Sequence, residues 1–235
     1  MPKNFIAQTT YFLQEGRENL EECLKVAFQA AQQHSVGKII IFTARGEGVQ
    51  VALRDFRPQP QYAHIQLVAV TFPADKYFTD SEKKPITVEI PDDVLSQFSA
   101  NKVPVVRAHL PFDSVEPSAA QKTQVGRGYS LVGEALNMFC GSMSLCVQAI
   151  TLACDAGHIE PREHVISLTS DTAILASAAV TRKMLSRLVI REVLCKPAIL
   201  TIGRSETSPM VLEGTGPESP KQLTDAAPEQ GLKKK

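Results

Sequence analysis

The sequence contains no tryptophan, and aromatic residues make up only 6% of its 235 positions. Proteins that bind single-stranded nucleic acid stack the bases on aromatic side chains, so this scarcity argues against that class. An excess of positive charge is missing as well, because 25 Lys and Arg residues balance 25 Asp and Glu residues. We therefore expect no nucleic-acid partner, and we interpret the three lysines that end the sequence as a solvated terminus.

Long apolar runs are missing too. The longest candidate, Met143 to Ala156, is shorter than the roughly 18–20 residues that cross a bilayer, and it contains Gln148 and Asp155. The residues Met1 to Phe5 lack the apolar stretch of a secretory signal. The five cysteines form no Cys-x-x-Cys pair, so we expect reduced thiols packed in a core. These absences favour a cytoplasmic protein without a membrane partner.

The motifs of common enzymes and cofactor sites are absent or incomplete. The glycine pairs at 46/48 and 126/128 both lack the third glycine of a dinucleotide fingerprint, and no Walker sequence occurs. The five histidines have no metal-ligand spacing, and there is no Gly-x-Ser-x-Gly elbow. The motifs therefore assign no catalytic residue and no metal ligand.

What the sequence does have is enough apolar residues, 43%, to form a sizeable core. Short apolar runs rich in β-branched residues, typical of strands buried on both faces, alternate with helical patterns. We predict extended segments at Phe5 to Leu13, Lys38 to Thr43, Ile65 to Thr71, Ile86 to Ile90, Val103 to Ala108, Val165 to Thr169, Thr172 to Thr181 and Leu188 to Cys195. The last two runs are also compatible with helices. The alternation predicts an α/β domain with a largely parallel sheet.

Helices are predicted where apolar residues recur every three or four positions next to capping residues. Asn19 and Glu22 have the spacing of a capping box, at the start of a helix that should end near His34. Further helices are predicted from Val49 to about Phe56, from Pro91 to about Ala100, from Leu131, and from Met143 to Ala156 after Ser142 as N-cap. The segment Met143 to Ala156 is apolar almost all round, which predicts a central buried helix.

The segments between these elements are predicted to be loops at 72–85 and 111–130. A loop as long as the second is usually functional or disordered in a compact domain. From Arg204 the sequence becomes rich in Pro, Gly, Ser and charge and loses apolar periodicity. We therefore predict a single domain at 1–203 and a disordered tail at 204–235.

The loop from Thr43 to Gly48 is the first candidate for a binding site. It leaves the carboxyl end of a predicted buried strand and enters a helix, where free backbone N–H groups attract anions. Thr43 and Arg45 can add a hydroxyl and a guanidinium to such a site. Glu47 argues against an anion, because it brings negative charge into the same loop. An ordinary strand–helix turn is the alternative interpretation.

Two further segments are candidates for the same site. His109 lies where a predicted core strand meets the long loop, and α/β sheets bind ligands at the carboxyl ends of their strands. Gly141 and Ser142 precede the predicted buried helix, whose amino end would attract anions. We therefore expect these residues to lie across one crevice from the loop that ends at Gly48.

Several segments, taken in order, resemble the C-terminal domain of pyruvate kinase. Lys38 to Gly48 is similar to the strand of that domain and to the Thr/Ser-x-x-Gly loop that receives a phosphorylated effector. The resemblance is closer to a family of free-standing bacterial and archaeal proteins with that fold. It extends over about residues 11–200 through Tyr11-Phe12 with Gly16 to Leu24, Phe139 to Val147, Asp155 to Ile159 and Ile190 to Pro197.

The resemblance implies a three-layer α/β/α sandwich with a mostly parallel mixed sheet. Because some members are similar to proteins that bind flavin mononucleotide (FMN), it implies FMN as the leading cofactor. Asp171 and Thr172 retain part of the turn that follows a late strand in the family, although its glycines are absent here, and the segment Leu110 to Ser114 also departs from the family pattern. The candidate cofactor-binding residues are therefore Thr43, Ala44, Arg45, Gly46, Gly48, His109, Gly141, Ser142, Asp171 and Thr172.

The function we expect is binding of a small phosphorylated ligand such as FMN, without kinase activity. Nothing in the sequence resembles the barrel domain that carries pyruvate kinase chemistry. Two alternatives remain open: a flavin-dependent oxidoreductase, in which the cofactor supplies the redox chemistry, and a regulatory module that binds another protein. A homo-oligomer is also compatible with the sequence.

Overall fold

The protein was analysed as a computed structural model that describes residues 4, 6–74, 76–79, 85–113 and 127–198. The predicted tail at 204–235 lies outside these described residues. Most of the predicted loop at 111–130, from 114 to 126, lies outside them as well.

Within the described residues, the strands form one seven-stranded sheet and one two-stranded hairpin. The strands are β1 Thr10–Phe12, β2 Lys38–Phe42, β3 Gln66–Thr71, β4 Tyr77–Thr79, β5 Pro85–Thr87, β6 Val105–Arg107, β7 His164–Leu168, β8 Ala173–Ser177 and β9 Val189–Pro197. The order in the large sheet is β1-β9-β8-β7-β2-β3-β6. Every neighbouring pair is parallel except the two that involve β8. The predicted α/β fold with a mostly parallel mixed sheet is confirmed.

Helices cover both faces of this sheet. They are α1 Leu20–Gln33, α2 Glu47–Val51 with a π-helical continuation at Ala52–Phe56, α3 Asp92–Ala100, α4 Arg127–Asn137, α5 Met143–Asp155 and α6 Met184–Arg187. Helices α1, α2 and α3 contribute to one apolar core, whereas α4 and α5 pack into the other. Within the described part of the chain, none of these helices has the length and apolar character needed to span a bilayer.

Strand β2 shows why the apolar runs of the sequence become buried strands. Ile39 and Ile41 belong to the first core, while Ile40 and Phe42 belong to the second. Side chains alternate across a strand, so a central strand covered on both faces needs apolar residues at every position. The same alternation places Leu67 and Val68 of β3 in opposite cores.

Helix α5 is buried on nearly every side, as its composition predicts. From Met143 to Cys154 every residue except Leu145 is buried, and the helix contacts β2, β3 and β7. Its buried Gln148 and Thr151 have partners: Gln148 Oε1 accepts a hydrogen bond from the Phe112 N–H at 2.8 Å, and the Thr151 hydroxyl donates to the Gln148 carbonyl at 2.9 Å. A polar group loses its water on burial, so the bond from Phe112 makes the position of Gln148 tolerable.

The predicted loop at 72–85 is wrong in part, because it contains strand β4. Strand β4 pairs antiparallel with β5, which places Tyr77 opposite Thr87. A three-residue strand is too short to show an alternating pattern in the sequence. The predicted loop at 111–130 is also too long at its end, since α4 begins at Arg127 and not at Leu131.

The predicted capping interactions are wrong, although the starts of α1 and α5 are correct. Helix α1 follows Asn19, but the Asn19 side chain caps no helix amide and instead donates to the Gln14 carbonyl at 2.8 Å. The reason is local, because a 3₁₀ turn at Arg17–Asn19 already gives Asn19 helical backbone angles, whereas an N-cap residue needs an extended backbone. Ser142 precedes α5 in the same conformation and also makes no side-chain capping bond.

Candidate functional site

A cavity of about 260 Å³ lies at the carboxyl ends of β2, β3 and β7. Its walls come from residues that follow these strands, from the turn before α1, and from the amino ends of α2 and α5. The lining residues are Arg17, Leu20, Phe42, Thr43, Ala44, Arg45, Glu47, Gly48, Phe72, Ser142, Leu145, Thr169 and Ser170. We call this space the carboxyl-end cavity.

Hydrogen bonds hold the loop from Thr43 to Gly48 against the sheet. The Thr43 N–H donates to the Val70 carbonyl at 2.9 Å, which extends the pairing of β2 with β3 beyond the strand. Thr43 Oγ1 then accepts from the Gly46 N–H at 2.9 Å and closes the turn into α2. The Thr71 hydroxyl donates to the Ala44 carbonyl at 3.4 Å. The loop is therefore fixed by the two central strands on which it rests.

Gly46 is required by this turn. Its φ of 97° lies in the left-handed region that side chains disfavour. A Cβ atom at this position would lie 2.7 Å from Val94 Cγ1 and 3.0 Å from Phe98 Cζ. The loop can thus pass close to α3 only because residue 46 has no side chain.

Charge in the cavity comes from Arg17, Arg45 and Glu47. Glu47 Oε1 pairs with the Arg17 guanidinium at 3.0 Å, and Glu47 Oε2 accepts from the Arg45 N–H at 3.3 Å. The Glu47 carboxylate therefore already binds one arginine and one loop amide, both of which an anionic ligand would contact. The negative charge of Glu47, which argues against an anion in the sequence, therefore lies at the groups that an anion would contact.

The structure brings together half of the predicted site residues on the cavity wall: Thr43, Ala44, Arg45, Gly48 and Ser142. Gly46 closes the loop behind them. These residues lie after the carboxyl end of β2 and at the amino ends of α2 and α5. The three ends converge because β2 is a central strand and α5 packs against it.

Asp171 and Thr172 lie behind the cavity wall and not on it. Asp171 is buried, with 4% of its surface exposed, and its carboxylate accepts hydrogen bonds from the Gly16 N–H at 3.1 Å and the Thr172 hydroxyl at 3.0 Å. The bond to Gly16 ties the turn after β7 to the turn that carries Arg17. Asp171 thus positions Arg17, and Thr172 supports Asp171.

His109 and Gly141 are not on the wall of this cavity. His109 is exposed, and its Nε2 lies 3.0 Å from the Asp113 carbonyl oxygen. Strand β6, which precedes His109, is at the edge of the sheet, two strands away from β2. Gly141 lines a neighbouring cavity of about 550 Å³.

This neighbouring cavity has an aromatic wall, so we call it the aromatic cavity. Phe72, Phe78 and Phe112 line it, and Phe72 packs edge-on against Phe78 with ring centroids 5.3 Å apart. Phe72 and Leu145 also line the carboxyl-end cavity. The two cavities therefore share a wall and lie side by side.

Buried thiols underlie the turn after β7, and all five cysteines of the sequence are buried. The Cys146 thiol donates to the Thr172 carbonyl at 3.6 Å. Burial raises the pKa of Cys140 and Cys146, and it raises the pKa of Cys154 to about 11. These thiols stay protonated at neutral pH and pack as small apolar groups. In the part of the chain that the structure describes, no cluster of His, Cys, Asp or Glu could hold a metal ion.

Eight lining residues were not among the predicted site residues: Arg17, Leu20, Phe42, Glu47, Phe72, Leu145, Thr169 and Ser170. Thr169, Ser170 and Phe72 follow the carboxyl ends of parallel strands, so the rule that selected Thr43 would also have found them. Arg17 gives no such signal, because its place depends on the bond between Gly16 and Asp171.

No protein-family model matches this sequence. The similarity to the C-terminal domain of pyruvate kinase therefore rests on the sequence segments quoted above. We infer the function from the residues of the cavity itself.

Proposed function

We propose that the chain binds a small phosphorylated ligand in the carboxyl-end cavity, with FMN as the leading candidate and without kinase chemistry. The observation that carries the proposal is the convergence of two helix amino ends on this cavity, at Glu47 of α2 and at Ser142, which precedes α5. The first turn of a helix has N–H groups without intrahelical partners and a partial positive charge, both of which favour phosphate. Arg45 adds a full charge beside the first of these ends.

The shape of the site also supports a phosphorylated ligand with an apolar part. A volume of about 260 Å³ falls below the range of about 300–1,000 Å³ of typical ligand pockets. It suits a phosphate group with a short chain, and the aromatic cavity of about 550 Å³ lies next to it. FMN consists of a phosphate, a polar chain and a flat ring system. The phosphate and chain match the carboxyl-end cavity, and the ring system matches the aromatic cavity beside it.

The side chains on the wall favour binding over catalysis. The titratable residues that line the carboxyl-end cavity are Arg17, Arg45 and Glu47, and Glu47 is already paired with Arg17. General acid–base chemistry needs a group that exchanges a proton near neutral pH, most often a histidine. His109 could have filled that role, but it lies outside the cavity.

Replacing Glu47 with glutamine is expected to strengthen binding of a phosphorylated ligand by about two- to fivefold. The substitution removes the negative charge that competes for Arg17 and the Arg45 amide, and exposed charge pairs contribute about 0.2–1 kcal/mol. Titration of FMN into both proteins at low salt measures the change. Glu22→Gln, which removes the same charge from the exposed face of α1, is the matched control. An equal gain in the control would mean that overall charge and not the cavity is responsible.

The identity of the ligand is tested by denaturing the purified protein and analysing the released small molecules. A released flavin phosphate would support the complete proposal. A different phosphorylated compound would support the site and contradict FMN. A bound compound that has no phosphate would contradict the proposal. If a flavin is bound, its reduction by NADH with turnover would favour the oxidoreductase alternative.

A further inference from the structure

A second charged cavity lies at the opposite ends of the central strands, beside the start of β7 and the end of β8. It has no part in the function proposed above. Its volume is about 560 Å³, and it is lined by the residues before β7, after β8 and at the end of α5. Four cationic residues line it: Arg162, Arg182, Lys183 and Arg187. We call it the basic cavity. In a sequence with equal numbers of acidic and basic residues, this is a local excess of positive charge.

The positive charge of the basic cavity is not neutralised by the rest of the described protein. None of the four cationic side chains forms an ion pair or a hydrogen bond with another described residue. The cavity lining includes one carboxylate, Asp155, whose Oδ1 accepts from the Thr181 N–H at 3.1 Å. That bond fixes the 3₁₀ turn Thr181–Lys183 and leaves the guanidinium groups available. A cavity lined by an excess of positive charge attracts anions, so an anionic ligand is favoured here.

The floor of the basic cavity is rigid and apolar. Ala178 and Ala179 are buried, and the Arg162 N–H donates to the Ala178 carbonyl at 2.8 Å. This bond holds Arg162 with a φ of 75°, a conformation that residues other than glycine seldom adopt. The basic cavity therefore combines a buried apolar floor with the four exposed cationic residues of its lining.

We propose that the basic cavity binds a small molecule that carries two or more adjacent phosphate groups. Each guanidinium can pair with two phosphate oxygens at once, so three arginines and a lysine match a ligand with several charged oxygens better than a monophosphate. This site is separate from the carboxyl-end cavity, and it stands or falls independently of the phosphorylated ligand proposed there.

The test is calorimetric titration of the full-length protein with inorganic pyrophosphate at fixed ionic strength. We expect the double substitution Arg182→Gln/Arg187→Gln to weaken binding at least tenfold. The charge-matched control is Lys25→Gln/Arg54→Gln, which removes two exposed cations elsewhere and should leave binding within twofold. Circular dichroism of each variant verifies that it is folded.

Three results would overturn the proposal. The first is absence of pyrophosphate binding by the unmodified protein at millimolar concentration. The second is an equal loss in the Lys25/Arg54 control, which would mean that pyrophosphate responds only to overall charge. The third is equal affinity for orthophosphate and pyrophosphate, which would contradict the preference for adjacent phosphates.

Discussion

Replacing Val147 with aspartate is expected to lower the free energy of unfolding by roughly 3–5 kcal/mol. Val147 lies in the middle of α5 with 3% of its surface exposed, in the core between that helix and the sheet. An aspartate there would be buried without a counter-charge, and it must either lose its hydration or take up a proton. Urea denaturation monitored by circular dichroism measures the change.

The matched control for this substitution is Gln29→Asp. Gln29 is an exposed residue of α1, so the change also puts an aspartate into a helix interior but leaves it in water. We expect a loss of less than about 1 kcal/mol, which reflects helix propensity alone. Equal stabilities for the two variants would mean that α5 is not covered at Val147, and the arrangement of layers would be wrong.

Replacing Gly46 with alanine is expected to destabilise the protein by about 2–6 kcal/mol. The estimate combines about 1–3 kcal/mol for a side chain at positive φ with about 1–3 kcal/mol for overpacking, since the new Cβ would lie 2.7 Å from Val94 Cγ1. The backbone of the loop would have to move away from α3. We therefore expect weaker ligand binding together with the lower stability, measured by thermal unfolding and by titration.

Gly37→Ala provides the comparison for Gly46. Residue 37 precedes β2 without a positive φ, and a Cβ atom there would meet nothing within 4 Å. The substitution should therefore change stability by no more than about 1 kcal/mol, in the favourable direction if the unfolded chain becomes less flexible. A loss at Gly37 as large as that at Gly46 would refute the role of the loop geometry.

The elements that the sequence predicts well are those whose burial is uniform along the chain. Strand β2 is apolar at every position after Lys38, and α5 is apolar almost all round, because both lie between other layers. Strand β4 gives no such pattern, since it has three residues and pairs only with β5. Its existence depends on a partner that the local sequence does not specify.

The candidate site also has one part that the sequence predicts and another that it does not. The loop at Thr43 could be predicted because a buried strand followed by a helix is visible in the sequence. The exclusion of His109 could not, because it depends on β6 being at the sheet edge, and strand order is a property of the whole fold. The position of Arg17 likewise depends on a hydrogen bond between Gly16 and Asp171, which are 155 residues apart in the sequence.

Phosphate binding by the loop from Thr43 to Gly48 is tested most directly by comparing the affinities for FMN and for riboflavin. Both ligands are titrated into the unmodified protein, into Arg45→Ala, and into Arg54→Ala as an exposed arginine control. A hydrogen bond to a charged group contributes about 1.5–3 kcal/mol, so Arg45→Ala should weaken FMN binding about tenfold or more. Riboflavin, which has no phosphate, should bind all three proteins alike. Equal losses for both ligands, or no loss for either, would contradict phosphate binding by this loop.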